Sequence, residues 1–222
     1  MTRKREKNPV KRKALGYYDY TVILTYCGML FAFYGIMKVI DLEYWDAMVC
    51  LMLAGTCDMF DGSVARTKKR SPNEKRFGIQ IDSLSDLVSF GVLPGIFVHQ
   101  IARDIPLSGL VASLYVLSAL IRLAYFNVLE EERQNQTTEK RKVFMGLPVT
   151  TAAIVLPFVY VVYDFGLVRN EVYFPVLLAA MGVGFLSPVE IKKPAALMKI
   201  CILILGILEL VGMAYLAGYN TR

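Results

Sequence analysis

The sequence predicts an all-α fold, a polytopic integral membrane bundle of about seven helices, with six and eight as the bounds. Three observations carry this reading. Of the 222 residues, 55% are hydrophobic and only 20% charged, against about 45–50% and about 25% in an ordinary soluble domain. The apolar residues are gathered into runs close to the roughly 20 residues that a helix needs to cross a bilayer. Lys and Arg fall in alternate segments between those runs, as the positive-inside tendency requires. Mean hydropathy is +0.46, and the same composition excludes disorder, collagen and a disulfide framework.

The runs are residues 20–40, 46–66, 78–101, 107–128, 146–165, 172–187 and 197–218. Before the first lies a basic segment, residues 1–19, with Arg3, Lys4, Arg5, Lys7, Lys11, Arg12 and Lys13. The run that follows is too long for the apolar stretch of a cleaved leader. The second run ends, and the third opens, on paired aspartates. The fourth carries Arg122, the fifth begins at Gly146-Leu147-Pro148, and the sixth is short enough to tilt little or to be partly re-entrant. The seventh holds Glu209, for which the sequence offers no role beyond a pairing inside the bundle or at a subunit contact. The expected organisation is a basic cytoplasmic segment (1–19), one transmembrane domain (20–218) and a short tail (219–222).

With seven crossings and a cytoplasmic N-terminus, nineteen of the 25 Lys and Arg fall in cytoplasmic segments. Only Lys38, Arg103, Arg169 and Arg222 fall outside, while Arg66 and Arg122 lie within runs. A net charge of +6 then suits the anionic lipid heads of the cytoplasmic leaflet. Nucleic acid is not expected as a partner, because the basic residues flank apolar runs and no recognition motif accompanies them. Cys27, Cys50, Cys57 and Cys201 lie within runs without a CxxC pair and read as small hydrophobes. His99, the one histidine, is a poor basis for a metal site.

Ionisable groups at membrane depth are expensive and mark function by default. Asp58 and Asp61 are spaced i, i+3, and Asp82 and Asp86 i, i+4, so each pair occupies one helical face. The charge pattern puts both pairs on the cytoplasmic side, joined by a short basic loop. Four converging carboxylates repel unless cations neutralise them, and an all-oxygen set suits Mg²⁺ or Mn²⁺ better than zinc. Gly62, Ala65 and Gly78 leave room on the same faces for a bulky ligand, and Arg66 is placed to hold a phosphate. Together these point to metal-assisted diphosphate chemistry, with a carboxylate accepting the nucleophile's proton. A cation transporter is the rival class. Against it, the acids cluster at one interface rather than along a midplane path, and the motif is not repeated in inverted form.

The stretch Asp58-Met-Phe-Asp61-Gly62-Ser-Val-Ala65-Arg66, followed by Gly78-Ile-Gln-Ile-Asp82-Ser-Leu-Ser-Asp86, resembles the signature of the CDP-alcohol phosphotransferases, D-x2-D-G-x2-A-R-x8-G-x3-D-x3-D. Eleven residues separate Arg66 from Gly78 where the family usually has eight, and the extra three fall in the polar loop 67–77. Asp82-Ser-Leu-Ser-Asp86-Leu-Val-Ser-Phe-Gly91-Val-Leu-Pro94, Arg122-Leu-Ala-Tyr-Phe-Asn127 and Gly146-Leu-Pro148 resemble the phosphatidylserine synthase branch of that family.

The resemblance implies transfer of a phosphatidyl group from CDP-diacylglycerol to an alcohol, with release of CMP. It implies that Asp58, Asp61, Asp82 and Asp86 hold two divalent ions, Mg²⁺ or Mn²⁺, with Asp86 also the base. Gly62, Ala65, Arg66, Gly78 and Thr21 would then shape the CDP-lipid site. The branch implies L-serine as acceptor, and Arg122 and Asn127 are the residues placed for its carboxylate and polar groups. Glycerol phosphate, inositol phosphate and choline stay open as acceptors. A homodimer in the plasma (inner) membrane, with its site facing the cytoplasm, completes what the resemblance implies.

Overall fold

The computed structural model describes residues 16–136 and 143–192, together with Gly206 and Gly212. The rest of the seventh run with Cys201 and Glu209, most of the basic N-terminal segment, residues 137–142 and the tail 219–222 lie outside the described residues. Within them the chain forms α1 (Ile23–Ile40), α2 (Tyr44–Val64), α3 (Pro72–Asp86), a π-helical turn (Leu87–Val92), α4 (Leu93–Ile101), α5 (Ser108–Gln136), α6 (Ala152–Asp164) and α7 (Tyr173–Leu186). Four helical stretches are long and apolar enough to cross a membrane: Ile23–Ile40, Tyr44–Val64, Pro72–Ile101 and Ser108–Glu132. Val149–Asp164 and Tyr173–Leu186 are shorter apolar helices. Large side chains such as Leu30, Phe33, Leu114 and Val183 point outward, the surface that lipid, not water, covers.

Two small strands, β1 (Val143–Met145) and β2 (Glu190–Lys192), pair antiparallel. The sequence pattern did not announce this ribbon. Gly146, at φ +70°, turns the chain out of it. Its N–H donates to the Val189 carbonyl at 2.8 Å, and that of Leu147 to the Gly184 carbonyl at 2.9 Å. The loop before α6 is thereby fastened to the C-terminal end of α7.

The third crossing begins at Pro72, six residues before the expected start. Ser71 caps it: its side chain accepts from the Glu74 N–H while the Glu74 carboxylate accepts from the Ser71 N–H. Proline at the first helical turn costs no hydrogen bond there. The polar stretch before Gly78 is therefore helical, held by its cap rather than by apolar periodicity. The fourth crossing likewise runs on past Val128 to Gln136, on the charged side of the apolar run.

α1 lies close along α2 because the contact is lined with small residues. A Cβ on Gly35 would stand 2.9 Å from Cys50 Cβ, and one on Gly28 3.3 Å from Cys57 Cβ. Such small-residue faces let backbones approach in lipid, where dispersion drives helix association. Cys27, Cys50 and Cys57 are free thiols, as expected of packing residues. At the end remote from the aspartates, Phe97 packs edge-on against Tyr44, Tyr160 and Phe174, with ring centroids 5.6, 5.5 and 5.9 Å away.

The π turn directly follows Asp86. Pro94 has no N–H to offer the Phe90 carbonyl four residues earlier. The buried Tyr115 hydroxyl donates to that carbonyl at 2.7 Å instead. This fixes the α3–α4 break against α5 and seats Asp86 immediately before it.

Candidate active site

Asp58 and Asp61 ride on the last two turns of α2, and Asp82 and Asp86 on the last two turns of α3. All four are half-buried. Carboxylate oxygens of Asp58, Asp82 and Asp86 all lie within 4.8 Å of one another. Asp61 completes the group, since its side chain comes within hydrogen-bonding reach of Asp82, as that of Asp58 does of Asp86. The Thr25 hydroxyl of α1 donates to Asp61 Oδ2 at 3.1 Å, and Ser85 donates to the Thr25 carbonyl at 3.3 Å. Thus α1, α2 and α3 meet at the acids. Between them is a cavity of about 10 Å³ lined by the four aspartates, Thr25 and Ser85 among others, room for about one water-sized body.

Two like charges about 4 Å apart repel by about 1 kcal/mol in water and about 4 kcal/mol in a half-buried setting. Four carboxylates in this space therefore call for a cation. Hard oxygen donors around a small cavity fit Mg²⁺ or Mn²⁺, and among the described residues no Cys or His joins the group to favour zinc. Among the described residues this is the one cluster of candidate metal ligands. A wider, open depression of about 540 Å³ lies between Ile105 and the loop residues 167–173, away from the acids.

The residues expected around the donor collect at the loop end of α2 and α3. Gly62 lies four residues beyond Asp58, and Gly78 four before Asp82. Arg66 folds back over Gly62, its Nη2 3.8 Å from where a Cβ would be. The Ala65 N–H caps α2 on the Asp61 carbonyl at 2.7 Å. Thr21 is buried, but its hydroxyl is bonded to the Asp19 carboxylate. Thr25, one turn further along, is the hydroxyl that touches the acidic group.

Asp19 also accepts from Lys68 Nζ at 2.7 Å, and Lys68 reaches Glu74 at 3.1 Å. The Tyr20 and Thr67 hydroxyls lie 3.0 Å apart. The N-terminal approach to α1 is thereby laced to the α2–α3 loop. Lys68, with Thr21, holds the Asp19 carboxyl well below the usual range, at about 2.

On the other flank, Arg122 of α5 is 7% exposed. Its guanidinium stacks 4.5 Å from the Phe126 ring centroid and acts electrostatically on Asp86. Asn127 Oδ1 accepts from the Ser83 hydroxyl at 2.7 Å, and Arg76 pairs with Glu131 at 3.0 Å. Both acceptor candidates therefore stand against the helix that carries Asp82 and Asp86. Thr25, Ser83, Ser85 and Arg70 are the site residues that sequence reasoning missed. Lone hydroxyls on apolar helices give no periodic signal, and Arg70 reads there as one more positive-inside residue.

The family model described as CDP-alcohol phosphatidyltransferase matches residues 20–186. The chain is 37% identical over 160 residues to a CDP-diacylglycerol–serine O-phosphatidyltransferase of Saccharomyces cerevisiae, covering 64% of this chain and 57% of that protein. It is 32% identical over 160 residues to an archaetidylserine synthase of Methanothermobacter thermautotrophicus, covering 72% and 63%. With a CDP-diacylglycerol–serine O-phosphatidyltransferase of Helicobacter pylori it shares 28% over 200 residues, covering 86% and 79%. The matched region thus spans roughly three-fifths of the first two relatives' length. No solved structure matches. The signature aspartates, the helices that bring them together and the extent of the match agree: this chain belongs to the CDP-alcohol phosphatidyltransferase family.

Proposed function

We propose that this chain transfers the phosphatidyl group of CDP-diacylglycerol to the hydroxyl of L-serine, giving phosphatidylserine and CMP. The observation that carries the reading is the gathering of Asp58, Asp82 and Asp86 within 4.8 Å, with Asp61 beside them and Arg66 at the same helix end. Relatives whose names specify serine transfer support the acceptor.

Asp58, Asp61, Asp82 and Asp86 would hold two Mg²⁺ or Mn²⁺ ions, and such ions when bound neutralise the charge that builds on the diphosphate as CMP departs. The chain's own groups do the rest. Gly62 and Ala65 at the end of α2, and Gly78 within α3, carry little or no side chain, so that the nucleotide can lie close to the backbone. Arg66 takes a phosphate oxygen through its fork, and Thr21 shapes the floor near the start of α1. Arg122 receives the serine carboxylate and Asn127 its polar atoms, which brings the serine hydroxyl toward Asp86. That hydroxyl oxygen bonds to the lipid-side phosphorus, the bond from that phosphorus to the CMP oxygen breaks, and the proton passes to Asp86. The carboxylate serves because, half-buried and within the field of Arg122, it is already positioned, not because it is a strong base.

The charge pattern of the loops supports a site on the cytoplasmic side of the plasma (inner) membrane, and the family resemblance supports a homodimer. Incorporation of labelled serine into extractable lipid by the purified protein tests the reading. It should require CDP-diacylglycerol, cease with a chelator and return with Mg²⁺ or Mn²⁺. Serine left in the aqueous phase while another alcohol enters lipid would overturn the acceptor.

A further inference from the structure

The α2–α3 loop supplies a second guanidinium to the mouth of the acidic site. Arg70 is half-buried, and its Nη1 lies 2.8 Å from where a Cβ on Gly78 would be. Nη1 therefore points end-on at the one α3 residue with no side chain to exclude it, with Cζ 4.0 Å from the same position. Gly78 is one turn before Asp82, and Arg70 acts electrostatically on that carboxylate. The arrangement mirrors the one on α2, where Arg66 covers Gly62 one turn beyond Asp58. Each helix of the acidic site thus carries two of the four aspartates and a glycine, and an arginine of the α2–α3 loop reaches over each glycine. Arg70 is also held in place. Lys68 ties its loop to Asp19 and Glu74 at 2.7 and 3.1 Å, and the Ser71 cap begins the next helix.

Arginine's planar fork suits bidentate phosphate binding, and two forks from the α2–α3 loop, one over each helix's glycine, match a ligand with two adjacent phosphates. The geometry points to Arg70 as a second diphosphate-binding residue, which with Arg66 takes a nucleoside diphosphate group from either side. This rests on the diphosphate chemistry proposed above. Asp82 provides Arg70 with a counter-charge until the cation and the phosphates occupy the site, when the guanidinium exchanges carboxylate for phosphate. The arginine lies in the loop that is three residues longer than the family spacing.

Calorimetry with CDP and Mg²⁺ on the detergent-purified full chain tests this. Arg70→Ala should weaken CDP binding about tenfold, as loss of a charge-assisted phosphate contact does, and should flatten the salt dependence of binding. Arg70→Lys, which keeps the charge without the fork, should fall between. Lys69→Ala, a neighbouring exposed cation, should bind as the parent does. Arg70→Ala binding within about twofold of a parent that binds CDP would overturn the role of Arg70 alone. A loss with the salt slope unchanged would also overturn it, as the mark of a structural effect. A parent that does not bind CDP with either Mg²⁺ or Mn²⁺ would overturn the diphosphate reading itself.

Discussion

The Ser83 hydroxyl donates to Asn127 Oδ1 at 2.7 Å and so joins α3, the helix of Asp82 and Asp86, to the acceptor flank on α5. It lies between two further cross-helix interactions, the Arg76–Glu131 ion pair at 3.0 Å and the electrostatic coupling of Arg122 to Asp86. With its oxygen engaged by Ser83, the Asn127 amide presents its NH₂ for other partners. A donor so oriented suits an acceptor oxygen of the serine. Ser83→Ala should raise the KM for serine about three- to tenfold, the worth of one hydrogen bond, with kcat and the KM for the CDP-lipid unchanged. Ser83→Thr should restore the parent KM. A change in kcat alone would remove Asn127 from the acceptor site.

Asp86 is the carboxylate nearest the π turn and the one on which Arg122 acts electrostatically. Asp86→Asn keeps the shape and a polar side chain but cannot take the proton. Transfer should be abolished while CDP-lipid binding stays within about tenfold, the loss of one ligand among several. Single-turnover CMP release and equilibrium binding measure the two separately. Full activity in this variant would rule out Asp86 as the base.

Gly146 and Gly166 share φ +70° but not their surroundings. A Cβ on Gly146 would stand 2.8, 2.9 and 3.1 Å from the carbonyl oxygens of Ser187, Phe185 and Gly184, whereas on Gly166 the nearest atom would be 3.9 Å away. Gly166→Ala should cost about 1–2 kcal/mol, the left-handed backbone penalty alone. Gly146→Ala should add overpacking of about 1–3 kcal/mol and detach the loop before α6 from α7. Thermal midpoints in detergent should rank parent, Gly166→Ala, Gly146→Ala, from highest to lowest.

The Asp19 carboxyl, held at about 2 mainly by Lys68 and next by Thr21, gives the α2–α3 loop a defined acid limit. Its folded value lies below the ordinary 3.8. Its contribution is therefore complete above about pH 4 and is lost as the pH falls from there through about 2. Hydrogen exchange of residues 65–71, corrected for intrinsic rates, should be level between pH 5 and 8. Asp19→Asn should speed it across that whole range by removing the charge that Lys68 holds.

Four membrane-length helices and the four aspartates were legible in the sequence for simple reasons. Burial in lipid requires long apolar runs, and two carboxylates at helical spacing are conspicuous there. The start of α3 was readable in principle from Ser71-Pro72-Asn73-Glu74, a capping box with proline at its first turn, but the apolar run masks it because the cap lies in polar sequence. The π turn depends on a hydroxyl 25 residues away, Tyr115, meeting the Phe90 carbonyl, and no local pattern carries that. The same holds for the ribbon of Val143–Met145 with Glu190–Lys192, paired across most of α6 and α7. Thr21 and Thr25 are one turn apart on the same apolar approach. Only the fold distinguishes the one bonded to Asp19 from the one bonded to Asp61.

The most direct test of the central claim is CMP release by the purified protein in detergent, with CDP-diacylglycerol and Mg²⁺ or Mn²⁺. Serine, inositol phosphate, glycerol phosphate and choline are added one at a time. Release should be stimulated by serine alone and lost in Asp86→Asn. Release with none of the four acceptors under either metal, from protein shown to be folded, would contradict that claim and return the acidic cluster to a role in cation transport.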